Sequence, residues 1–173
     1  MKLDDPDPTS DLQCHSCELS KSHLHINRAL RKVPDQALEE ISIDVVSPIT
    51  PIGFNGHRYA TLITDRKSRA RWGSTHKTKN EAHRVLKDFI VFIWTQYQCK
   101  IKALDLDGGK EFGISKLQDL SKEHGFLIRM TTPYTSSMNG ISERGIRIIA
   151  ECLRCIFEYS RAPKDLWPEL MIG

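Results

Sequence analysis

The sequence has no apolar run long enough to cross a bilayer, and its longest covers only residues 89–94. Its N-terminus also lacks the basic segment followed by an apolar one that a secretory signal peptide needs. Internal repeats and low-complexity tracts are missing as well. These absences argue against membrane, secreted and repeat proteins. We therefore expect a soluble intracellular protein with no membrane partner.

A large net charge is also missing. The formal charge is +3 at pH 7 and the pI is about 8.6. Both values are lower than those of the strongly basic domains whose charge alone indicates nucleic-acid binding. Five cysteines are an odd number in a chain without a secretion signal, which argues against a disulfide framework. With 173 residues, 39% of them hydrophobic, the chain suits one globular domain with a full core.

Residues 1–37 predict a flexible lead and linker ahead of a folded domain at 38–173. Within the lead, Cys14-His15-Ser16-Cys17 could supply two of the four ligands that zinc requires. His23 and His25 follow at a spacing shorter than a zinc finger needs. Zinc binding and a pair of reduced cysteines both stay open. We also expect the folded domain to be truncated at its C-terminus, because a new element begins near Trp167.

Hydrophobic periodicity predicts the order of strands and helices. Ile41, Ile43 and Val45 alternate with polar residues, which is the period of a half-buried strand. Segments 57–64 and 69–75 follow across short connections, so the first three strands should form an antiparallel meander. The remaining predicted elements are a helix at 80–98, a strand at 101–106, a helix at 114–124, a strand at 126–130 and a helix at 142–159. Helices between the later strands favour parallel pairing there, and hence an α/β fold with a mixed five-stranded sheet.

The last predicted helix contains a second pair of cysteines. Its apolar face carries Ile148, Ile149, Cys152, Ile156 and Tyr159. Cys152 and Cys155 form a CxxC pair, but in the middle of a helix such a pair more often packs than binds metal. We therefore expect these cysteines to belong to the core.

Three acids stand at places where they could hold divalent metal. Asp44 lies in the first strand, Asp107 follows the fourth, and Glu143 opens the last helix, with 35 residues between the second and third acids. Carboxylates suit Mg²⁺, and two ions about 3.5–4 Å apart can activate the attacking oxygen and stabilise the leaving oxygen of a phosphodiester. The alternative is that all three are solvated acids at element ends, which the spacing alone does not exclude.

Two longer motifs surround the second and third acids. The first is Asp107-Gly108-Gly109-Lys110-Glu111-Phe112, and the second is Pro133-Tyr134-Thr135-Ser136-Ser137-Met138-Asn139-Gly140-Ile141-Ser142-Glu143-Arg144. They are similar to the D-N-G-x-E-F/Y and P-Y-T-x-x-x-N-G-x-x-E-R segments of one family. From Cys14 to Leu170 the chain resembles the integrase catalytic core of copia-type LTR retrotransposons, in the retroviral integrase superfamily. The resemblance implies a ribonuclease-H-like fold with helices on both faces of the sheet.

The resemblance also implies roles and partners. Asp44, Asp107 and Glu143 would bind two Mg²⁺ or Mn²⁺ ions. Water would remove terminal nucleotides from element DNA, and the new 3′-hydroxyl would then attack target DNA without a covalent protein intermediate. The partners would be element and target DNA and further copies of the chain, in the nucleus. Cys14 and Cys17 match the cysteine half of the family's His-His-Cys-Cys module, so a Zn²⁺ site in this chain would be incomplete.

The sequence departs from the family pattern beside Asp107. Gly108 stands where the family usually has Asn, and Asp105 adds an acid on the same face of the strand. Asp105 could compete with Asp107 for metal. We assign the role to Asp107 because Gly109 and the Glu111-Phe112 pair set the register of the motif.

Candidate DNA-binding residues lie on and before the last helix. They are Asn139, Arg144, Arg147 and Arg154. Arg147 and Arg154 follow Glu143 at steps of four and eleven residues, so they share nearly one helix face and could contact phosphates. The alternative is a solvated charged face that includes Glu151.

The sequence is therefore compatible with three functions. The first is a metal-dependent DNA strand-transfer enzyme, and the second is a catalytically inactive DNA-binding or assembly remnant of one. A plain nuclease of the same fold is less favoured, because the Asn139-Gly140 segment and the 35-residue spacing match the integrase pattern.

Overall fold

A computed structural model of the chain describes residues 32–46, 48–107, 112–131 and 136–172, apart from the side chains of 107, 131 and 136–142. Most of the predicted lead, including Cys14 and Cys17, lies outside these residues, as does Gly108. The elements in order are β1 (Glu40–Val46), β2 (Tyr59–Asp65), β3 (Arg71–His76), α1 (Ala82–Tyr97), β4 (Ala103–Asp107), α2 (Ile114–His124), β5 (Leu127–Thr131), α3 (Ser136–Ser160) and α4 (Trp167–Ile172). Short 3-10 turns, Lys79–Glu81 and Lys164–Leu166, lead into α1 and α4.

The five strands form one mixed sheet in the order β3-β2-β1-β4-β5. β1, β2 and β3 pair antiparallel, which confirms the predicted meander. β4 pairs in parallel with β1 on one side and with β5 on the other. The prediction of a mixed five-stranded sheet is thus confirmed. The central strand of the sheet, β1, pairs antiparallel with β2 and parallel with β4.

One face of the sheet is covered by α1 and α2. Ile41 and Ile43 of β1 are buried in a core that also holds Leu86 and Ile93 of α1 and Leu117 of α2. Each such side chain stabilises the fold by about 1.5–3 kcal/mol when it leaves water. Because side chains alternate along a strand, Ser42 and Asp44 face the opposite side of the sheet.

The opposite face is covered by α3 and α4, so helices lie on both faces of the sheet as predicted. α3 approaches closely at Gly145, where an added Cβ would lie 3.0 Å from Leu62 Cδ2. α4 approaches at Gly73 of β3, where an added Cβ would lie 3.2 Å from the Met171 carbonyl oxygen. A Cβ at either position would make a tighter contact than is usual, so glycine suits both close approaches of helix and sheet.

The start of α3 differs from the prediction. The sequence predicts a helix from 142, after a loop rich in Ser, Asn and Gly, but α3 begins at Ser136. Ser, Asn and Gly have low helix propensity, which is why the local sequence favours a loop there. The Asn139-Gly140 segment and Glu143 therefore belong to one continuous helix.

The prediction that Cys152 and Cys155 belong to the core is wrong, because both side chains are exposed. The predicted apolar face is also largely exposed, and Tyr159 keeps 95% of its surface in solvent. Among the described α3 side chains, the partly buried ones are Ile146, Ile149, Leu153 and Phe157, and only Ile149 of these belongs to the predicted face. Periodicity shows which residues share a helix face, but it does not show whether another element covers that face.

Within the described residues, no helix combines the length and the apolar character that crossing a bilayer requires.

Candidate active site

β1 and β4 place two of the three predicted acids next to each other along the sheet. The parallel register pairs Ile43 with Leu106, and the next residues on the two strands are Asp44 and Asp107. Neighbouring strands lie about 4.7–4.9 Å apart, so these two backbone positions are close. The Asp44 side chain is half-buried, and its Oδ1 accepts a 2.8 Å hydrogen bond from the Val45 N–H.

α3 brings the third acid to the same region. In the antiparallel register, Leu62 of β2 is the partner of Asp44, so both residues face α3. Gly145 of α3 packs directly against Leu62. Glu143 precedes Gly145 by two residues and is exposed. The fold thus places Asp44 and Asp107 on adjacent strands, and it places the segment of α3 that carries Glu143 on the face of the sheet to which Asp44 belongs.

This donor set fits divalent metal by its chemistry, since carboxylate oxygens are the protein ligands that Mg²⁺ prefers. Asp44 is partly open to solvent and Glu143 is exposed, so an ion could reach both. Among the described side chains, no group of three or more His, Cys, Asp or Glu residues is placed to hold a metal. The Asp107 side chain is outside that set.

The competing acid, Asp105, is engaged in a ring of four ion pairs. Arg66 Nη1 lies 3.2 Å from Glu40 Oε2 and 3.0 Å from Asp105 Oδ2. Arg129 Nη2 lies 2.9 Å from Glu40 Oε2, and its Nε lies 3.1 Å from Asp105 Oδ1. Each carboxylate therefore contacts both guanidinium groups. We call Glu40, Arg66, Asp105 and Arg129 the arginine–carboxylate ring.

The ring connects the central strands on the face that carries Asp44. Asp105 pairs in register with Ser42 of β1 and with Arg129 of β5. Ser42 lies between Glu40 and Asp44 on the same face of β1. The side chains of Arg66 and Asp105 are only 12% and 10% exposed, so the ring is largely desolvated. Both carboxylate oxygens of Asp105 thus lie within ion-pair distance of an arginine.

Sequence reasoning missed Glu40, Arg66 and Arg129. Arg129 stands 24 residues after Asp105 in the sequence and becomes its neighbour only through the β4–β5 register. Arg66 lies just beyond β2 and reaches across β1. The available signal was weak. Asp105 stands between Leu104 and Leu106 in a strand, and a buried acid at such a position requires a partner.

Asp65, at the end of β2, has a structural role. Burial raises the pKa of this carboxyl group, but hydrogen bonds from the Ser68 hydroxyl and backbone N–H and from the Leu38 N–H outweigh burial, so that its pKa lies below the usual value. The three bonds measure 2.6, 2.7 and 2.9 Å, in that order. The ionised carboxylate therefore holds the β2–β3 turn and the segment before β1 together.

The predicted basic row lies on the outside of α3. Arg144, Arg147 and Arg154 are all exposed. At 1.5 Å per residue, Arg147 and Arg154 lie about 6 Å and about 16 Å along the helix from Glu143. Arg154 also borders a groove of about 1170 Å³ between α3, the segment around Pro51 and Trp167. The backbone of Asn139 is part of α3, and its side chain is not described.

Comparison with known proteins bears on this arrangement. The family model described as "Integrase core domain" matches residues 34–136, a range that includes Asp44 and Asp107. The retrovirus-related Pol polyprotein from transposon TNT 1-94 of Nicotiana tabacum is 27% identical over 156 residues, covering 90% of this chain. The Pol polyprotein from transposon RE2 of Arabidopsis thaliana is 31% identical over 161 residues, covering 91% of this chain. The chain spans only 12% and 11% of these two polyproteins.

A solved structure shares the fold. A chain from the simian T-cell lymphotropic virus intasome, in complex with the PP2A regulatory subunit B56 gamma, aligns with a TM-score of 0.68 and 16% identity. The alignment covers 92% of this chain and 55% of that one. The predicted ribonuclease-H-like α/β fold and the resemblance to retrotransposon integrases are confirmed. The match over residues 34–136 and the two polyprotein relatives show that this chain belongs to the integrase core domain family.

Proposed function

We propose that the chain is a retrotransposon integrase core that carries out metal-dependent 3′-end processing and strand transfer of element DNA into target DNA. The observation that carries this proposal is the meeting of Asp44 and Asp107 on adjacent parallel strands. The helix that carries Glu143 is docked on Leu62, the register partner of Asp44. In this proposal, residues 38–173 form the catalytic core and residues 1–37 its lead.

Asp44, Asp107 and Glu143 would hold two Mg²⁺ or Mn²⁺ ions. When bound, such a pair supplies activation of the attacking oxygen and stabilisation of the leaving oxygen. The protein's part is to keep the carboxylates in place. The Val45 N–H fixes the Asp44 carboxylate, and the packing of Gly145 on Leu62 fixes the part of α3 that carries Glu143. Catalytic groups held in a fixed geometry lower the entropic cost of reaching the transition state.

DNA would be held along α3. The exposed guanidinium groups of Arg144, Arg147 and Arg154 suit phosphate oxygens, and contacts of this kind position a duplex without reading its sequence. Asn139, four residues before Glu143, would contribute a polar contact near the reacting phosphate. Element ends and target DNA are the proposed substrates, bound by an assembly of several copies in the nucleus. Cys14 and Cys17 would supply half of a Zn²⁺ site in the lead.

An inactive DNA-binding or assembly remnant is the second candidate. It is favoured by Gly108, which stands directly after Asp107 where the family usually has Asn. Such a remnant would retain DNA through its basic residues, with an affinity that falls as salt rises. It would not join or nick DNA.

Strand transfer in vitro tests both candidates. The assay compares the native chain with Asp107→Asn and Glu143→Gln, in Mg²⁺ or Mn²⁺, on a labelled element-end duplex and a target plasmid. Loss of one metal ligand removes several kcal/mol of transition-state stabilisation, so each variant should lose activity by about 100-fold or more. Glu151→Gln, which removes an exposed acid from the same helix, is the control and should keep its activity.

The outcomes separate the candidates. Metal-dependent joining by the native chain, lost in both ligand variants, supports the catalytic core. If the native chain neither joins nor nicks DNA but retains it in a salt-dependent manner, the remnant is correct. Activity that survives in Asp107→Asn would contradict the ligand assignment.

A further inference from the structure

We infer that the arginine–carboxylate ring sets the electrostatic balance of the metal site: Arg66 and Arg129 cancel the charge of Asp105, so that only the three proposed ligands act on the ions. This inference rests on the proposed metal site. It assigns a function to residues that have no part in ligation, and it makes Arg66 and Arg129 positioning residues for Asp105.

The geometry places the ring close to the site. Asp105 precedes Asp107 by two residues on β4, and Glu40 precedes Asp44 by four on β1. At about 3.3 Å per residue, the Asp105 position lies about 7 Å from that of Asp107 on the same face of the sheet. A carboxylate at that distance acts strongly on a divalent ion, because charges this near are poorly screened by salt.

The ring is neutral as a whole. Its two carboxylates and two guanidinium groups carry equal and opposite formal charge, and every carboxylate contacts both arginines within 3.2 Å. Both contacts of Asp105 are to rigid, planar groups that do not lose their protons in proteins. Asp105 is therefore held by its partners and does not add a fourth negative charge to the metal site.

Three variants change the ring charge in known steps. Arg129→Gln makes the ring negative, Asp105→Asn makes it positive, and the double variant restores neutrality. Mg²⁺ alone is titrated into each protein by isothermal titration calorimetry, without DNA, at about 0.15 M salt, where the screening length is about 8 Å. We expect tighter Mg²⁺ binding in Arg129→Gln and weaker binding in Asp105→Asn, each by roughly five-fold or more, and near-native affinity in the double variant.

A matched control changes the charge of the residue just before β4. Lys102 pairs with Glu39 and is mostly exposed. It lies five residues before Asp107, about 17 Å along the strand. Lys102→Gln removes one positive charge, as Arg129→Gln does, but beyond the screening length of ordinary buffers. Its Mg²⁺ affinity should stay within two-fold of the native value.

Folding is followed separately by thermal melts of every variant. Should Arg129→Gln unfold, Arg66→Gln makes the same charge change against the same two carboxylates. If all ring variants bind Mg²⁺ more weakly, or all bind it equally, the ring only packs the sheet and the inference is overturned. A native chain that binds no Mg²⁺ would instead refute the proposed metal site.

Discussion

At the residue scale, His76 is a buried titratable group, only 2% exposed, that lies away from the proposed site. Its Nδ1–H donates to the Thr78 carbonyl oxygen over 2.7 Å, so its Nε2 accepts from the Thr61 hydroxyl over 2.8 Å when the ring is neutral. The ring also stacks on Tyr59, with 5.9 Å between the centroids. Burial lowers the pKa of His76 below its usual value of 6.5, against the opposing effect of the hydrogen bond to Thr78.

This lowered pKa predicts how stability depends on pH. Below pH 6.5 the unfolded chain binds a proton at His76 more readily than the folded chain does, so acid favours unfolding. The stabilising contribution of neutral His76 is present above pH 6.5 and is lost as the pH falls through its folded pKa. Urea unfolding at pH 7.5 and pH 5.5 should show a smaller drop in unfolding free energy for His76→Gln than for the native chain. An equal drop in both proteins would refute a role for His76.

At the scale of elements, the position of α3 depends on one glycine. A Cβ at Gly145 would lie 3.0 Å from Leu62 Cδ2 and also 3.0 Å from Arg71 Nε. Larger side chains at this position would push α3 away from β2. Since Glu143 lies on the same turn of helix, its place relative to Asp44 depends on the packing at Gly145.

Gly145→Val tests this packing. Overpacking of a closed contact costs about 1–3 kcal/mol, although valine is a better helix former than glycine. Chemical denaturation should therefore show a loss of unfolding free energy of about that size. Ala150→Val, at an exposed position of the same helix, should cost only about 0.5 kcal/mol. If the two variants lose equal stability, Gly145 is not a close contact.

At the scale of the whole molecule, the last elements of the described chain pack on the loop between β1 and β2. Trp167 is 3% exposed, and its Nε1–H donates to the Pro51 carbonyl oxygen over 2.9 Å. Close by, the Phe54 N–H donates to the Asp165 carbonyl oxygen over 2.7 Å. α4 and the 3-10 turn before it thus cover the loop between β1 and β2, and they extend the helical layer over β3.

Removal of the Trp167 side chain should destabilise the whole domain. Trp167→Ala should lower the unfolding free energy by about 3–5 kcal/mol, a large part of the stability of a typical domain. Trp167→Phe mainly removes the hydrogen bond to Pro51, so its cost should be nearer 0.5–1.5 kcal/mol. Leu170→Ala, at a partly exposed position of α4, is the control and should cost less than Trp167→Ala in thermal and urea unfolding. Full stability of Trp167→Ala would show that α4 is not part of the cooperative unit.

Local sequence determined much of this protein. The alternation of apolar and polar residues predicted β1 correctly, and the three- and four-residue spacing of apolar residues predicted α1. Both periods are properties of short segments. Gly125, with φ of 74°, ends α2 where the sequence predicted. The motifs around Asp107 and Glu143 also indicated the family and the candidate ligands before any fold was known.

Tertiary structure decided the rest. The adjacency of Asp44 and Asp107 depends on the parallel register of β1 and β4, and the ring joins Glu40 to Arg129 across 89 positions of sequence. Cys152 was predicted to be buried and is exposed, because the periodicity of α3 does not determine which side meets the sheet. Local patterns report the preferences of neighbouring residues. Contacts between distant strands follow from the packing of the whole chain, which no short segment encodes.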